Sequence, residues 1–276
     1  MRQELHRPGH GGDVMQRIGA GLGLLRSLVT YHHPLSILRW RRFYRTLLAP
    51  GDLVFDIGAH VGTRARAMRG AGARVVALEP QAPLSGFLRR TMPRDVTVLD
   101  LAVGGEDGEV SMAVSSRHPT VSTLNGDFVA AARTASGFEH VRWDRSQRVR
   151  VVTLDALIAR FGLPRYVKID VEGSEIEVLK GLSQPVPMIS VEYLPAYPHL
   201  AMALVDRLET LGLVRFNIVQ GESGAFLWPA WRDGDAVKAW LEGQDPAAVS
   251  GDLFGRRADA GNPPRDGTSP RRASMS

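Results

Sequence analysis

The stretch Val54-Phe55-Asp56-Ile57-Gly58-Ala59-His60-Val61-Gly62 is followed, at Ala77-Leu78-Glu79-Pro80, by a second apolar run that also ends in an acid. An apolar run that closes on an acid and a glycine turn reads as a strand delivering its carboxyl end to a ligand. Gly58 and Gly62 let the backbone approach that ligand, and Glu79 follows Asp56 by 23 residues. About 20 residues is the reach of one βαβ unit, whose second strand then presents an acid to a ribose diol. The pattern points to a parallel sheet with crossover helices and a nucleoside-bearing ligand at its carboxyl edge. Because the glycines are spaced G-x-x-x-G rather than G-x-G-x-x-G, and a pyrophosphate would disfavour a turn faced by Asp56, a dinucleotide fits poorly.

At 276 residues, with 44% apolar content, the chain is long enough for one full core or two small ones. It has no cysteine, which excludes disulfides, thiolate metal ligands and a cysteine nucleophile. The net charge of +5 sits at the ends, with eight arginines against two acids in residues 1–50 and five against two in residues 256–276. The segment between is acidic on balance. A nucleic-acid groove in the core is therefore not expected, since phosphate binding needs positive charge on the binding face. No apolar run reaches the roughly 18 to 20 residues of a membrane span. Ile18 to Val29 has the length of a signal peptide's apolar region, but Arg26 interrupts it and no small-residue cleavage site follows. The expected compartment is the cytoplasm.

Residues 1–12 are polar and glycine-rich and are expected to be disordered. A helical segment fills 13–50. Val14, Ile18, Leu22 and Leu25 recur at helical spacing, and a second helix runs from Ser36 to Leu48 with Trp40, Phe43 and Tyr44 among Arg39, Arg41, Arg42 and Arg45. That basic aromatic helix either packs on the cofactor domain or meets an anionic substrate or membrane surface.

From 51 to 243 strand and helix periods alternate, which predicts an α/β fold with a doubly wound, mostly parallel sheet. Strands are expected at 52–57, 74–79, 96–102, 148–154, 165–170 and 188–193, and helices at 62–70, 83–91, 155–161 and 199–211. A further helix runs to Lys180, with Ser174 and Glu177 at capping-box spacing. A short antiparallel excursion is expected from Glu109 to Val114, a loop-rich insert over 115–147, and a C-terminal antiparallel hairpin of 214–219 with 224–227. Residues 244–276, dominated by Pro, Gly, Ser and Arg, are expected to be a disordered tail.

Further strings join the first two in a fixed order: Ala102-Val103-Gly104, Val152-Thr153-Leu154-Asp155, Lys168-Ile169-Asp170-Val171-Glu172-Gly173 and Val178-Leu179-Lys180-Gly181. Across residues 51–195 the chain resembles the FkbM family of S-adenosylmethionine-dependent methyltransferases. The Asp56 and Glu79 strings are common to many methyltransferases, whereas Lys-Ile-Asp-Val-Glu-Gly after Thr-Leu-Asp is much more specific. The resemblance implies a class I, Rossmann-like methyltransferase fold and S-adenosylmethionine as cofactor. It also implies methyl transfer to the hydroxyl of a small molecule, sugar or natural-product intermediate. His60 departs from the family, which usually has Asn there.

The cofactor's chemistry assigns roles. Asp56 would accept from the methionine ammonium, the N–H groups from Gly58 to Gly62 would receive its carboxylate, and Glu79 would accept both ribose hydroxyls. His60 donates one hydrogen bond near the cofactor or is a tolerated loop side chain. Asp100, near the end of the third strand, accepts from the adenine amino group or simply faces solvent.

Lys168, Asp170 and Glu172 alternate at period two. Lys168 is one of three lysines in the chain, and inside an apolar strand its ammonium needs a partner, which Asp170 or Glu192 would supply. Asp170 falls at the crevice where such sheets bind ligands. The candidate bases for deprotonating an acceptor are Asp170, Glu192 and His118. Asp170 and Glu192 could instead share a divalent cation, though no third ligand can be named and no resident metal is expected. Two rival functions stay open, a nucleotide-dependent oxidoreductase and a non-catalytic binding module. Oligomeric state is not legible.

Overall fold

The computed structural model describes residues 34–115 and 145–260. In chain order the strands are β1 (Leu53–Ile57), β2 (Arg74–Leu78), β3 (Thr97–Leu99), β4 (Ala102–Val103), β5 (Gly108–Val114), β6 (Arg145–Val152), β7 (Tyr166–Ile169), β8 (Met188–Tyr193), β9 (Arg215–Gln220) and β10 (Gly251–Arg256). The helices are α1 (Pro34–Tyr44), α2 (Thr63–Gly70), α3 (Ala82–Thr91), α4 (Leu154–Phe161), α5 (Glu175–Lys180), α6 (Pro198–Thr210) and α7 (Gly234–Glu242). The main sheet has the order β3-β2-β1-β7-β8-β10-β9, and β4, β6 and β5 form a small side sheet. All pairings in the main sheet are parallel except those of β10, which runs antiparallel to β8 and β9.

This is a doubly wound sheet because β1 is buried at every position, so both its faces need cover. Leu53, Phe55 and Ile57 pack with Leu154, Val178, Val205 and Leu208 of α4, α5 and α6 on one face. Val54, with Val75 and Ala77 of β2, packs with Trp40, Tyr44, Ala65, Met68 and Leu88 of α1, α2 and α3 on the other. Successive strands lead away from β1 on one side through β2 and β3, and on the other through β7 and β8. The crevice of the fold therefore opens at the carboxyl ends of β1 and β7.

Several family-like strings prove architectural. A Cβ on Gly181 would run into the Gly104 carbonyl oxygen, and one on Gly104 into the Val151 side chain, so each glycine makes room for a separate close contact. The Asp155 carboxylate accepts from the Ser183 N–H at 3.0 Å and its hydroxyl at 2.6 Å. Thr153 caps α4, its hydroxyl accepting from the Ala156 N–H at 3.1 Å. Thr153→Ala should therefore cost about 1 kcal/mol, the usual value of such a cap, read as a lower denaturant midpoint at unchanged slope; an unchanged midpoint would show the cap to be idle.

The structure corrects four expectations. The third strand is split, so only Thr97–Leu99 pairs with β2 while Ala102–Val103 joins β6. β9 pairs with β10 rather than with 224–227; the latter segment sends only the Leu227 N–H to the Ile218 carbonyl. Residues 251–256, placed in a disordered tail, form a strand inserted between β8 and β9, with Leu253 and Phe254 fully buried. Ser174 precedes α5 without a side-chain cap, and Glu175 instead accepts from the Val171 and Gly173 N–H groups at 3.1 and 3.3 Å. The predicted helix beginning at Val14, most of the 115–147 insert, and His118 lie outside the described residues. Among the described residues no helix is long and apolar enough to cross a membrane.

Candidate active site

A cavity of about 380 Å³ opens at that crevice, lined by Gly58, Ala59 and His60 after β1, Glu79 to Gln81 after β2, and Lys168, Asp170, Val171 and Glu172 at and beyond the end of β7. Glu192 of β8, Asp252 of β10, Arg64 of α2 and Glu222 complete the wall. Six of the nine sequence-predicted site residues meet here: Gly58, His60, Glu79, Lys168, Asp170 and Glu192. Asp56, Gly62 and Asp100 do not line it.

Gly58 holds a left-handed backbone (φ 78°), and a Cβ there would collide with the Asp170 carbonyl oxygen. The turn after β1 therefore presses directly on the end of β7. Gly62 is left-handed too (φ 80°), but its missing Cβ makes room for Leu88 of α3. Its role is helix packing at the start of α2 rather than ligand contact. The amide cradle expected from Gly58 to Gly62 is mostly occupied, because Gly58 and Ala59 donate to the Leu78 carbonyl, Gly62 to Ala59, and His60 to Glu79. Val61 contributes the remaining N–H of that turn.

Glu79 is 3% exposed. Its Oε2 accepts from the His60 N–H and its Oε1 from the Gln81 N–H, both at 2.9 Å. Each oxygen keeps a second lone pair, and the carboxylate is fixed at the cavity wall. Burial pushes its pKa up to about 7, opposed by those two amides. His60 sits at φ 51°, and burial holds its imidazole down to about 4, so it is neutral at physiological pH.

Asp56 is not at the cavity because it lies inside β1, one residue before its end, and its side chain is buried in the sheet. It is fully buried, with the Ala65 backbone N–H at the start of α2 the one hydrogen-bonding group acting on it. It lies in register with Lys168, whose Nζ is 4.0 Å from its Oδ1. Burial raises the Asp56 carboxyl, with Lys168 the main opposing influence. Lys168 in turn donates to Asp170 Oδ2 at 2.8 Å. Burial pulls its ammonium down, but Asp170, Asp56 and Asp252 more than offset this and it stays charged. It is thus a positioning residue between two carboxylates rather than a base.

Asp170 is held below the ordinary carboxylate range, as Lys168 outweighs its burial. Glu192 is the reverse, driven well up by burial and by Asp170, Glu172, Glu175 and Asp252. Asp100 is 58% exposed and paired with Arg89 at 2.7 Å, outside the cavity. The split of the third strand puts it at a surface turn, leaving Leu101 and Ala102 as the wall there.

Three further residues, Arg64, Glu222 and Asp252, escaped sequence reading, and Glu172 was named there without a role. Arg64 bridges Glu222 and Asp252 at 3.1 and 3.4 Å and lies over the Trp40 ring at 3.1 Å, while the Trp40 indole N–H donates to Glu222 at 2.6 Å. As one arginine among many, Arg64 carried no distinguishing signal. Asp252 was hidden in a supposed tail, although Leu253-Phe254 beside it is an apolar pair in a polar segment. Glu172, part of the specific string, supplies the third carboxylate beside Asp170 and Glu192; one ligand oxygen of each lies within 4.8 Å of the others. Glu172 also holds a left-handed backbone (φ 55°).

The sheet order and a ligand crevice at the β1/β7 switch point define a protein of the class I methyltransferase fold. More narrowly, the methyltransferase FkbM domain matches residues 56–245, and the chain belongs to that family. It is 28% identical over 144 residues to the hexuronic acid methyltransferase AglP of Haloferax volcanii, covering 50% of this chain and 53% of that one. It is 30% identical over 169 residues to the AMB antimetabolite synthetase AmbE of Pseudomonas aeruginosa, covering 49% of this chain and 8% of that one. The chain thus spans about half the length of the first relative and a small part of the second. Among solved structures it is similar to a TehB-like SAM-dependent methyltransferase from Corynebacterium glutamicum, with a TM-score of 0.42, 10% identity and coverage of 91% and 100%. It is also similar to magnesium protoporphyrin IX methyltransferase from Synechocystis, with a TM-score of 0.38, 11% identity and coverage of 92% and 87%.

Proposed function

We propose that the chain is an S-adenosylmethionine-dependent methyltransferase that methylates a hydroxyl of a small molecule, a sugar or a natural-product intermediate. The observation that carries this reading is Glu79, buried at the end of β2 with each oxygen pinned by one loop amide and facing the cavity. A fixed carboxylate with two inward lone pairs fits a ribose diol, and the Gly58 turn beside it lets a nucleoside approach the backbone. Asp170 takes the ammonium contact first expected of Asp56, since Lys168 engages only one of its oxygens. The sugar acceptor is supported by the kinship to AglP.

When bound, the cofactor supplies a methyl group on a sulfonium; the acceptor oxygen bonds to that carbon as the carbon–sulfur bond breaks and its electron pair returns to sulfur. Glu192 is the residue suited to take the hydroxyl proton. It lines the cavity outside the ion pair that Lys168 makes with Asp170, and burial and neighbouring carboxylates raise its proton affinity while Lys168 lowers that of Asp170. The remaining contribution of the chain is orientation, through the rigid turn at Gly58 and the pinned Glu79.

Glu79→Ala should weaken S-adenosylmethionine binding by about 1.5 to 3 kcal/mol, the range for hydrogen bonds to charged groups. Calorimetry reads this directly, and unchanged affinity would remove Glu79 from the ribose role. A pH dependence follows from the same residue. Glu79 accepts fully only when ionised, above about 7, so affinity should drop by about tenfold between pH 8 and pH 6 as the competent fraction falls. The Glu79-dependent part of that drop should vanish in Glu79→Gln; an identical profile in both proteins would count against it.

A further inference from the structure

Along β6 one residue breaks the pattern of its strand. Val149 and Val151 are buried with Ala102 and Met112 in the core of the side sheet, while Ser146, Arg148 and Arg150 are exposed. Gln147 falls on the buried side of that alternation, where a third apolar residue would fit. Its amide instead reaches the loop after β2. Nε2 donates to the Pro80 carbonyl at 2.7 Å, and Oε1 accepts from the Ala82 N–H at 3.3 Å. One contact needs a donor and the other an acceptor, so neither a hydrocarbon nor a carboxylate could make both. The two bonds bracket Gln81, whose N–H is one of the pair that pins Glu79. Directly opposite Gln147 on β5 stands Met112, which is buried and lines the cavity. Gln147 thus ties the loop that holds Glu79 to the sheet that carries Met112, joining two parts of one cavity wall.

We propose that Gln147 is a positioning residue for the nucleoside: it holds the 80–82 loop so that Glu79 meets the ribose in a single orientation. This rests on the S-adenosylmethionine reading above and adds to it a residue outside the cavity lining. Without the bracket the loop samples other positions, and apparent affinity falls with the fraction of time it spends in the competent one. Pro80 is partly exposed and Ala82 exposed, so water can satisfy the two freed groups and the fold need not suffer.

The test is calorimetry of the full chain with S-adenosylhomocysteine, beside denaturant unfolding, for the parent, Gln147→Met, Glu79→Ala and the double variant. Methionine is of similar length and suits the buried face of β6, so Gln147→Met should unfold at the parent's midpoint or above it. Its affinity should still fall about fivefold, the scale of one net hydrogen bond. Because the effect runs through Glu79, adding Gln147→Met to Glu79→Ala should weaken binding by no more than about twofold further. Parental affinity in Gln147→Met would overturn the proposal while leaving the cofactor assignment standing. So would a further loss of the full size on top of Glu79→Ala, which would place the effect of Gln147 elsewhere. Loss of the fold in both Gln147→Met and Gln147→Ala would make the residue structural and overturn the proposal as well. Failure of the parent to bind S-adenosylhomocysteine would overturn the cofactor assignment and this proposal with it.

Discussion

Lys168→Ala is expected to lower the unfolding free energy by about 3 to 5 kcal/mol, the cost of removing one partner from a buried charge pair. The reason is Asp56. Its carboxylate is fully buried, and the Lys168 ammonium at 4.0 Å on its strand neighbour is the main influence that offsets that burial, ahead of the Ala65 backbone N–H. Taking the lysine away leaves an uncompensated charge under the sheet and also releases Asp170 from its 2.8 Å bond. The double variant Asp56→Asn, Lys168→Met removes both charges and should recover a large share of the loss. Denaturant unfolding of the four proteins closes the cycle. Purely additive effects would mean that the two residues do not compensate one another.

Gly58→Ala is expected to be of similar size, about 3 to 5 kcal/mol, by a different mechanism. An alanine there must hold a left-handed backbone at φ 78° and place its methyl against the Asp170 carbonyl oxygen. Left-handed strain costs of order 1–3 kcal/mol and overpacking a similar amount. The obstacle is backbone, which cannot swing aside as a side chain would. Separating the β1 turn from β7 would also move Glu79, whose position depends on the His60 amide in that turn. Nucleoside affinity should therefore fall along with stability. A Gly58→Ala protein with parental stability and affinity would mean the two strand ends are not in the contact described.

The parts of this molecule that were legible in sequence are those where pattern and chemistry coincide. β1, β2, β7 and β8 announce themselves as apolar runs bounded by turns, and they are buried strands whose neighbours cover both faces. The place of Glu79 at the cavity wall was readable because an apolar run that closes on an acid puts that acid at the carboxyl end of its strand. Asp56 misled because it was read at the crevice although the strand was expected to reach residue 57: one position inside the strand end, its side chain is buried in the sheet. Asp100 misled for a related reason, since the third strand breaks just before it and hands the wall to Leu101. β10 was illegible because six residues in a glycine-, serine- and proline-rich stretch carry almost no periodic signal. Its place between β8 and β9 is set by packing of Leu253 and Phe254 on both faces of the sheet. The Arg64, Glu222 and Trp40 cluster joins residues up to 186 positions from Ser36, which also reaches Glu222. No local reading of the chain could bring them together.

The family and the fold account for the sheet, but the claim that matters is that this cavity holds S-adenosylmethionine. The most direct measurement is a set of calorimetric titrations of the parent protein at pH 8 with S-adenosylmethionine, S-adenosylhomocysteine and NAD. Saturable binding of the sulfur nucleosides at micromolar concentrations, with none by NAD, is the predicted result. NAD binding while neither sulfur nucleoside binds below about millimolar would contradict the account and return the site to nucleotide-dependent redox chemistry.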